Sequence, residues 1–213
     1  MIDFDVFLPG IMTFAPSAPE PVAIRFLREA AQKLCTDTMI WRENDQIVIT
    51  GNATPDAVTN VPDAEIIEIE SARWIGEDGA RAQLEPQTIK WLDRNEPNWS
   101  YDREPTGGVP RFISQIIPDT VIVVPNAEGV VDVRLVLMPS HDCTGLPNVL
   151  RRYQPLLERG AAGRLLTLPD AEYANPSLGA ALWAEFLDGV VDATRDARRT
   201  QFGGRTRTRG AYF

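Results

Sequence analysis

Residues 175–201, NPSLGAALWAEFLDGVVDATRDARRTQ, carry the clearest helix signature in the chain. Asn175 offers a side-chain oxygen to the first free backbone N–H groups, and Pro176 sits in the first turn, where its missing N–H removes nothing. Leu178, Ala181, Leu182, Phe186, Val190, Ala193 and Ala197 then recur at three- and four-residue spacings, one apolar stripe of a 3.6-residue period. Gly189 falls inside that helix, where glycine is about 1 kcal/mol worse than alanine, so a close approach by a neighbouring helix is expected there. A helix cannot bury such a stripe alone, and the fold class follows from what packs against it.

The matching stripe lies near the other end. Over residues 21–38, Ala23, Phe26, Leu27, Ala30, Ala31, Leu34 and Cys35 repeat with the same period, behind Pro21 in the first turn. Helical patterning returns over 146–158, kinked or offset near Pro155, and over 160–168, stopped by Pro169. Ahead of the first helix, apolar residues alternate with Pro9, Pro16 and Pro19, which predicts an extended arm or a short edge strand.

Between the helical stretches the character changes to short β-branched runs. Strands are expected over 46–50, 64–72, 87–92, 121–125 and 131–138, with turns at Gly51-Asn52, Glu77-Asp78-Gly79 and 126–129. The pair 121–138 reads as a hairpin, and Glu65, Glu68 and Glu70 break the alternation of 64–72, which predicts a bulge or a partly exposed strand. The polar loop 95–110 contains Trp99, Tyr101 and three prolines, a length and composition that suit contact with a partner. The expected fold class is therefore α+β: an antiparallel helical bundle from the N- and C-terminal helices, with a β-rich insertion and an extended C-terminal tail. In domains this is an arm over 1–20, a bundle from 21–45 and 146–201, an insertion over 46–145 and a tail over 202–213.

Charge separates the tail from the body. The formal net charge is -9, yet residues 195–213 hold six of the 21 basic groups and one of the 30 acidic ones, leaving the remainder near -14. The tail has no regular apolar pattern, so it is either disordered or ordered by a partner. An acidic body argues against a general nucleic-acid-binding surface and suits one that DNA passes without sticking. No stretch nears the roughly 18 apolar residues of a membrane helix, and MIDFDVFLPG places acids where a leader carries lysine or arginine; neither a span nor secretion is expected. Cys35 and Cys143 read as two buried thiols rather than a disulfide.

Catalytic signatures were sought and not found. The one histidine, His141, lies in Ser140-His141-Asp142-Cys143, which lacks an identifiable third orienting group and has no usual zinc spacing. No P-loop, G-x-G-x-x-G, G-x-S-x-G or H-E-x-x-H motif occurs. The acid pairs Asp63/Glu65 and Glu68/Glu70 read as solvated strand faces, and Trp41, Trp74, Trp91, Trp99 and Trp183 as core or inter-subunit aromatics. An enzyme is not expected, nor a cofactor, a metal or any catalytic residue.

Two stretches resemble a known family. The first runs from Leu8-Pro9 through Ala15-Pro16 to Phe26-Leu27-Arg28-Glu29-Ala30-Ala31, Leu34-Cys35, Thr38 and Trp41-Arg42-Glu43. The second comprises Gly160-Ala161, Arg164-Leu165-Leu166, Pro169, Asn175-Pro176, Phe186, Gly189-Val190, Ala193 and Arg195. Together they are similar to the head-tail adaptor (connector) proteins of tailed bacteriophages, in particular those of short-tailed phages. That resemblance implies a structural protein of the virion, made in the host cytoplasm and placed at the head-tail junction. It implies a homo-oligomeric ring of about twelve copies that joins the portal protein to a tail nozzle or tail tube protein, with DNA passing through its channel without specific binding. It also implies that the C-terminal tail docks on the portal, which assigns Arg205, Arg207, Arg209, Tyr212 and Phe213 as portal-binding residues: guanidinium groups for acids, aromatics as anchors. Two other functions compete: a nucleic-acid-binding accessory protein using the basic tail, and an enzyme using the His141 loop or the acidic strands.

Overall fold

The computed structural model describes residues 1–50, 57–100, 108–115 and 120–202. Nine strands and five helices alternate along these segments: β1 (Ile2–Asp3), α1 (Leu8–Met12), α2 (Glu20–Thr38), β2 (Arg42–Ile49), β3 (Ala57–Val58), β4 (Ala64–Ile75), β5 (Arg81–Pro86), α3 (Ile89–Asn95), β6 (Phe112–Ser114), β7 (Thr120–Val124), β8 (Gly129–Pro139), β9 (Gly145–Leu146), α4 (Gln154–Leu165) and α5 (Pro176–Phe202). They form two compact units. One comprises Met1–Phe4 and Trp41–Arg151; the other comprises Asp5–Ile40 and the described residues from Arg152 onward.

The expected helical bundle with a β-rich insertion is overturned. The chain is a mixed α/β protein, and its sheet is a body with a core of its own. Seven strands run in the order β2-β8-β4-β5-β6-β7-β3, all antiparallel except the parallel pair β5 and β6. The physical reason lies in β4 and β8, 12 and 11 residues long, which pair along most of their length. Val131, Val133, Leu135 and Leu137 of β8 and Ile66, Ile69, Ala72 and Trp74 of β4 are all buried, far more apolar surface than an appendage to helices needs. Register shifts in β4 between Ile66 and Glu68 and between Ile69 and Ser71 fall where the glutamates break the alternation, and they let Ile66, Ile69 and Ala72 all turn inward.

Two local expectations also change. The strands over 121–138 exist but do not form a hairpin: β7 pairs with β6 and β3, whereas both edges of β8 are taken by β2 and β4. The expected strand 87–92 is instead two linking residues after β5, Gln87 and Thr88, followed by the first turn of α3. Thr88 caps that helix, its hydroxyl accepting from the Trp91 N–H at 3.2 Å, and Leu92 packs with Phe112 and Val124 beneath Trp91 and Trp99.

The sheet curls until its two ends meet. The Asp45 carboxylate, on edge strand β2, accepts from the Asn60 N–H (2.7 Å), the Asn60 side-chain amide (3.1 Å), the Thr59 hydroxyl (3.0 Å) and the Gln46 N–H (2.8 Å). Asn60 Nδ2 also donates to the Gln46 carbonyl at 2.8 Å. Thr59 and Asn60 directly follow β3, so a carboxylate latch joins β2 to the far edge where no strand ladder does. It satisfies the outward backbone groups of Gln46, which an open edge would leave unpaired.

In the second unit, α1, α2, α4 and α5 share one core. The predicted stripe of α2 is buried: Ala23, Leu27, Ala31, Leu34 and Cys35 are 0% exposed. Residues 1–20 are not one extended arm, since β1 pairs with β9 and α1 buries Ile11, with Phe7 buried just ahead of it. Near Pro155 the helical stretch is offset rather than kinked. A 3-10 turn over Asn148–Tyr153 leads into α4, and Pro155 occupies the first turn, where no N–H is required. Asn175 caps α5, its side-chain oxygen accepting from the Leu178 N–H at 3.2 Å.

Helices α4 and α5 touch backbone to backbone. A Cβ on Gly163 would lie 2.8 Å from the Trp183 nitrogen and 3.1 Å from the Gly179 oxygen, and one on Gly179 would lie 2.8 Å from the Gly163 oxygen. Gly189 also lies in close packing, against the end of the Leu156 side chain. The two ends of the helix pair are thus drawn together by glycines on both partners.

Candidate functional site

The five residues assigned to portal binding, Arg205, Arg207, Arg209, Tyr212 and Phe213, lie outside the described residues, as do 101–107 of the 95–110 loop. Helix α5 carries the chain up to Phe202. Its outward side there is acidic, with Asp188, Asp192 and Asp196 exposed and Arg195 held to Asp192 at 3.0 Å.

The His141 segment is a built turn. Asp63 accepts from the Thr144 N–H (3.2 Å) and the Thr144 hydroxyl (2.8 Å), its backbone carbonyl accepts from the Ser140 N–H (3.0 Å), and Glu65 accepts from the His141 N–H (3.1 Å). Asp63 and Glu65 therefore tie the loop to the start of β4, and Cys143 is buried. Glu70 pairs with Arg42 at 3.2 Å. Among the described residues no group of three or more His, Cys, Asp or Glu side chains could hold a metal ion. Burial alone pushes the Cys35 thiol up to about 12, which leaves it a thiol rather than a nucleophilic thiolate. In the second unit, burial raises the Tyr153 hydroxyl, opposed by Arg152 and reinforced by Asp196.

Among the described residues, two depressions on the outer face of the sheet lie along β2, β8 and β4. One, of 420 Å³, runs along a polar ladder in which Gln46, Asp132, Arg73 and Gln83 stand side by side on β2, β8, β4 and β5. Its groups serve one another, as in the 2.8 Å bond from the Gln46 amide to Asp132.

The other is a slot of 350 Å³ at one end of the sheet. Register places Val48 beside Val130 and Val130 beside Ile75, forming an apolar row in which Val48 is 64% exposed. Glu77 and Glu128, both exposed, stand over the row from the turns that follow β4 and precede β8. Gly76 and Gly129 complete the walls. Trp74 does not line the slot: it alternates with Ile75 and pairs with the buried Val131, so its ring turns to the inner face, packed against the same two glycines. A Cβ on Gly129 would fall 2.6 Å from the Trp74 indole nitrogen, and one on Gly76 would fall 2.5 Å from Trp74 Cη2. Trp74 is 6% exposed, and its N–H has no hydrogen-bond partner among the described residues. A buried donor without an acceptor is costly, by about 1–3 kcal/mol, and here it faces a position where only glycine leaves room.

Sequence reasoning did not assemble this slot. Its turns were read as turns and Trp74 as a core aromatic, and only the pairing of Ile75 with Val130 brings the pieces together. No protein-family model matches the chain, and no curated protein matches it.

Proposed function

We propose that this protein is a structural head-tail adaptor of a tailed bacteriophage, forming a ring of about twelve copies between the portal and a tail nozzle or tail tube protein, with its arginine-rich tail as a docking strap on the portal. One observation carries the reading: the two sequence stretches that resemble adaptor proteins, separated by more than a hundred residues, supply the core of a single helical unit. Phe26, Leu27, Ala30, Ala31, Leu34 and Cys35 of the first are buried in the same unit as Gly160, Ala161, Leu165, Phe186, Val190 and Ala193 of the second. The charge distribution supports it. A lumen lined by acidic groups repels DNA and keeps it mobile, while a basic, partly aromatic tail suits a groove on a protein partner.

Deleting residues 205–213 tests the strap. The truncated protein is expected to keep its circular dichroism spectrum and lose co-sedimentation with the portal; normal attachment would refute the docking role. Imaging of particles should show a ring of this protein at the head-tail junction. Steep, salt-dependent binding of duplex DNA by the isolated chain would favour the nucleic-acid reading instead.

A further inference from the structure

We infer that the gap between β4 and β6 is a lane that receives an extended segment of a partner protein, which inserts as an additional strand and completes the sheet there. The inference does not rest on the adaptor reading; it states what kind of segment a partner of this chain supplies.

The gap follows from where β5 stops. In strand order β5 lies between β4 and β6. It pairs with β4 only from Arg81 to Leu84, opposite Ala72–Ile75, and with β6 only at Glu85 and Pro86, opposite Phe112 and Ile113. A last bond runs from the Gln87 N–H to the Ile113 carbonyl at 2.9 Å, and the chain then turns into α3. Beyond that point β4 continues through 64–71, paired with β8 on one side and with no strand among the described residues on the other. The two neighbours of a strand lie about 9.6 Å apart, so the path that β5 vacates is one strand wide. A cavity of 550 Å³ occupies it, lined by 67–69 of β4, by 86–90 and by 113–115.

The walls of the lane specify its occupant. Alternate residues of a strand turn their N–H and C=O away from the paired neighbour, so the open edge of β4 offers backbone donors and acceptors to the lane. Ser114 lines the cavity, is 2% exposed, and its hydroxyl has no hydrogen-bond partner among the described residues. Such a group is costly to leave unpaired, and a polar atom of an inserted chain satisfies it. Ile69 and Ile113 are buried on the inner side, whereas the exposed Glu68 and Lys90 have no ion-pair partner among the described residues. A segment with apolar side chains facing in between the two isoleucines, alternating with an acid for Lys90 and a base for Glu68, matches the lane in charge and in period. Running in the direction of β5, it is antiparallel to β4 and parallel to β6 and extends both ladders.

The probe is the peptide Val-Asp-Val-Thr-Val-Lys-Val, labelled at its N-terminus, amidated at its C-terminus and titrated into the full-length protein by fluorescence anisotropy. Saturable binding is expected, with amide hydrogen exchange slowed over 67–71 and 114–115. Methylating the backbone nitrogens of the valines, or those of the three residues between them, should each weaken binding about tenfold, because alternate N–H groups point to opposite edges and a lane uses both. Lys90→Gln, at an exposed position, should weaken binding about two- to fivefold, and less at high salt. Ser114→Ala should weaken it severalfold without lowering the melting temperature of the free protein, where the hydroxyl has no bond to lose. Loss from only one methylated series places the peptide on a single edge and overturns the proposal. So do an absence of binding, exchange slowed at another edge instead, unchanged binding by both variants, or every amide over 67–71 already protected in the free protein, which would show the lane filled by the chain itself.

Discussion

Replacing Gly163 by alanine sets two physical effects of opposite sign against each other. On helix propensity alone, alanine in the interior of α4 should stabilise by about 1 kcal/mol. The new Cβ, however, would sit 2.8 Å from the backbone nitrogen of Trp183 and 3.1 Å from the Gly179 oxygen. Carbon normally keeps about 3.5 Å from such atoms, and these belong to a helix backbone that cannot rotate away. The helices must separate, which loosens Phe186, packed close enough to Gly160 that a Cβ there would lie 2.7 Å from its ring. Overpacking of this kind costs about 1–3 kcal/mol, and the lost contacts push it to the upper end, so a net destabilisation of about 2 kcal/mol is expected. At this chain length that corresponds to a fall of about 4–8 °C in the melting temperature of the helical unit. Thermal unfolding followed at 222 nm measures it. Gly189→Ala is the internal control: its Cβ meets only the end of the Leu156 side chain, which can change rotamer, so its effect should be distinctly smaller. A Gly163→Ala protein as stable as the parent, or more so, would show that α4 and α5 do not meet at their backbones.

Two further outcomes follow from the titrating groups. Burial by itself would raise the Asp45 carboxyl, but its hydrogen bonds to Asn60, Thr59 and Gln46 outweigh burial and hold it below the usual carboxylate value. A depressed folded-state pKa stabilises above the unfolded value near 3.9 and is lost as pH falls through the folded one; Asp45→Ala should therefore cost about 1 kcal/mol at pH 7 and show a smaller loss of sheet stability on acidification, measured by urea unfolding at pH 7 and pH 3. Cys35, its thiol pushed up to about 12 by burial, should react with a thiol reagent at pH 8 only as fast as the helical unit opens, and rapid labelling of the native protein would contradict the packing of α2.

What the sequence disclosed was what depends on neighbours along the chain. Asn175, Pro176 and the α2 stripe were readable because caps and periodicity are local. The pairing of β7 and β8 was misjudged because a turn at 126–129 suggests a hairpin, whereas the partners of β8 are fixed by apolar faces on β2 and β4, many residues away. Helix α3 was missed although Thr88 is a legitimate cap, since Ile89 and Leu92 fit a short strand equally well. The weight given to the terminal helices followed from the same bias: their stripes are continuous in sequence, while the sheet's core is spread over seven short runs. The slot along Val48, Val130 and Ile75 needed three-dimensional register before Gly76 and Gly129 became more than turn residues.

The division of the chain into units has a consequence for its synthesis. The helical unit begins with residues 5–40 and resumes only at 152, with all of the sheet unit except Met1–Phe4 encoded between. At about 5–20 residues per second, α2 is made about 8–33 s before α4 and α5 are complete and can cover Phe26, Leu27, Leu34 and Cys35. During that interval the sheet can close while an amphipathic helix stands uncovered near the N-terminal end of the growing chain. Nascent chains are thus exposed to one another through α2 well before the basic residues 205–209 are translated and become available for any assembly step.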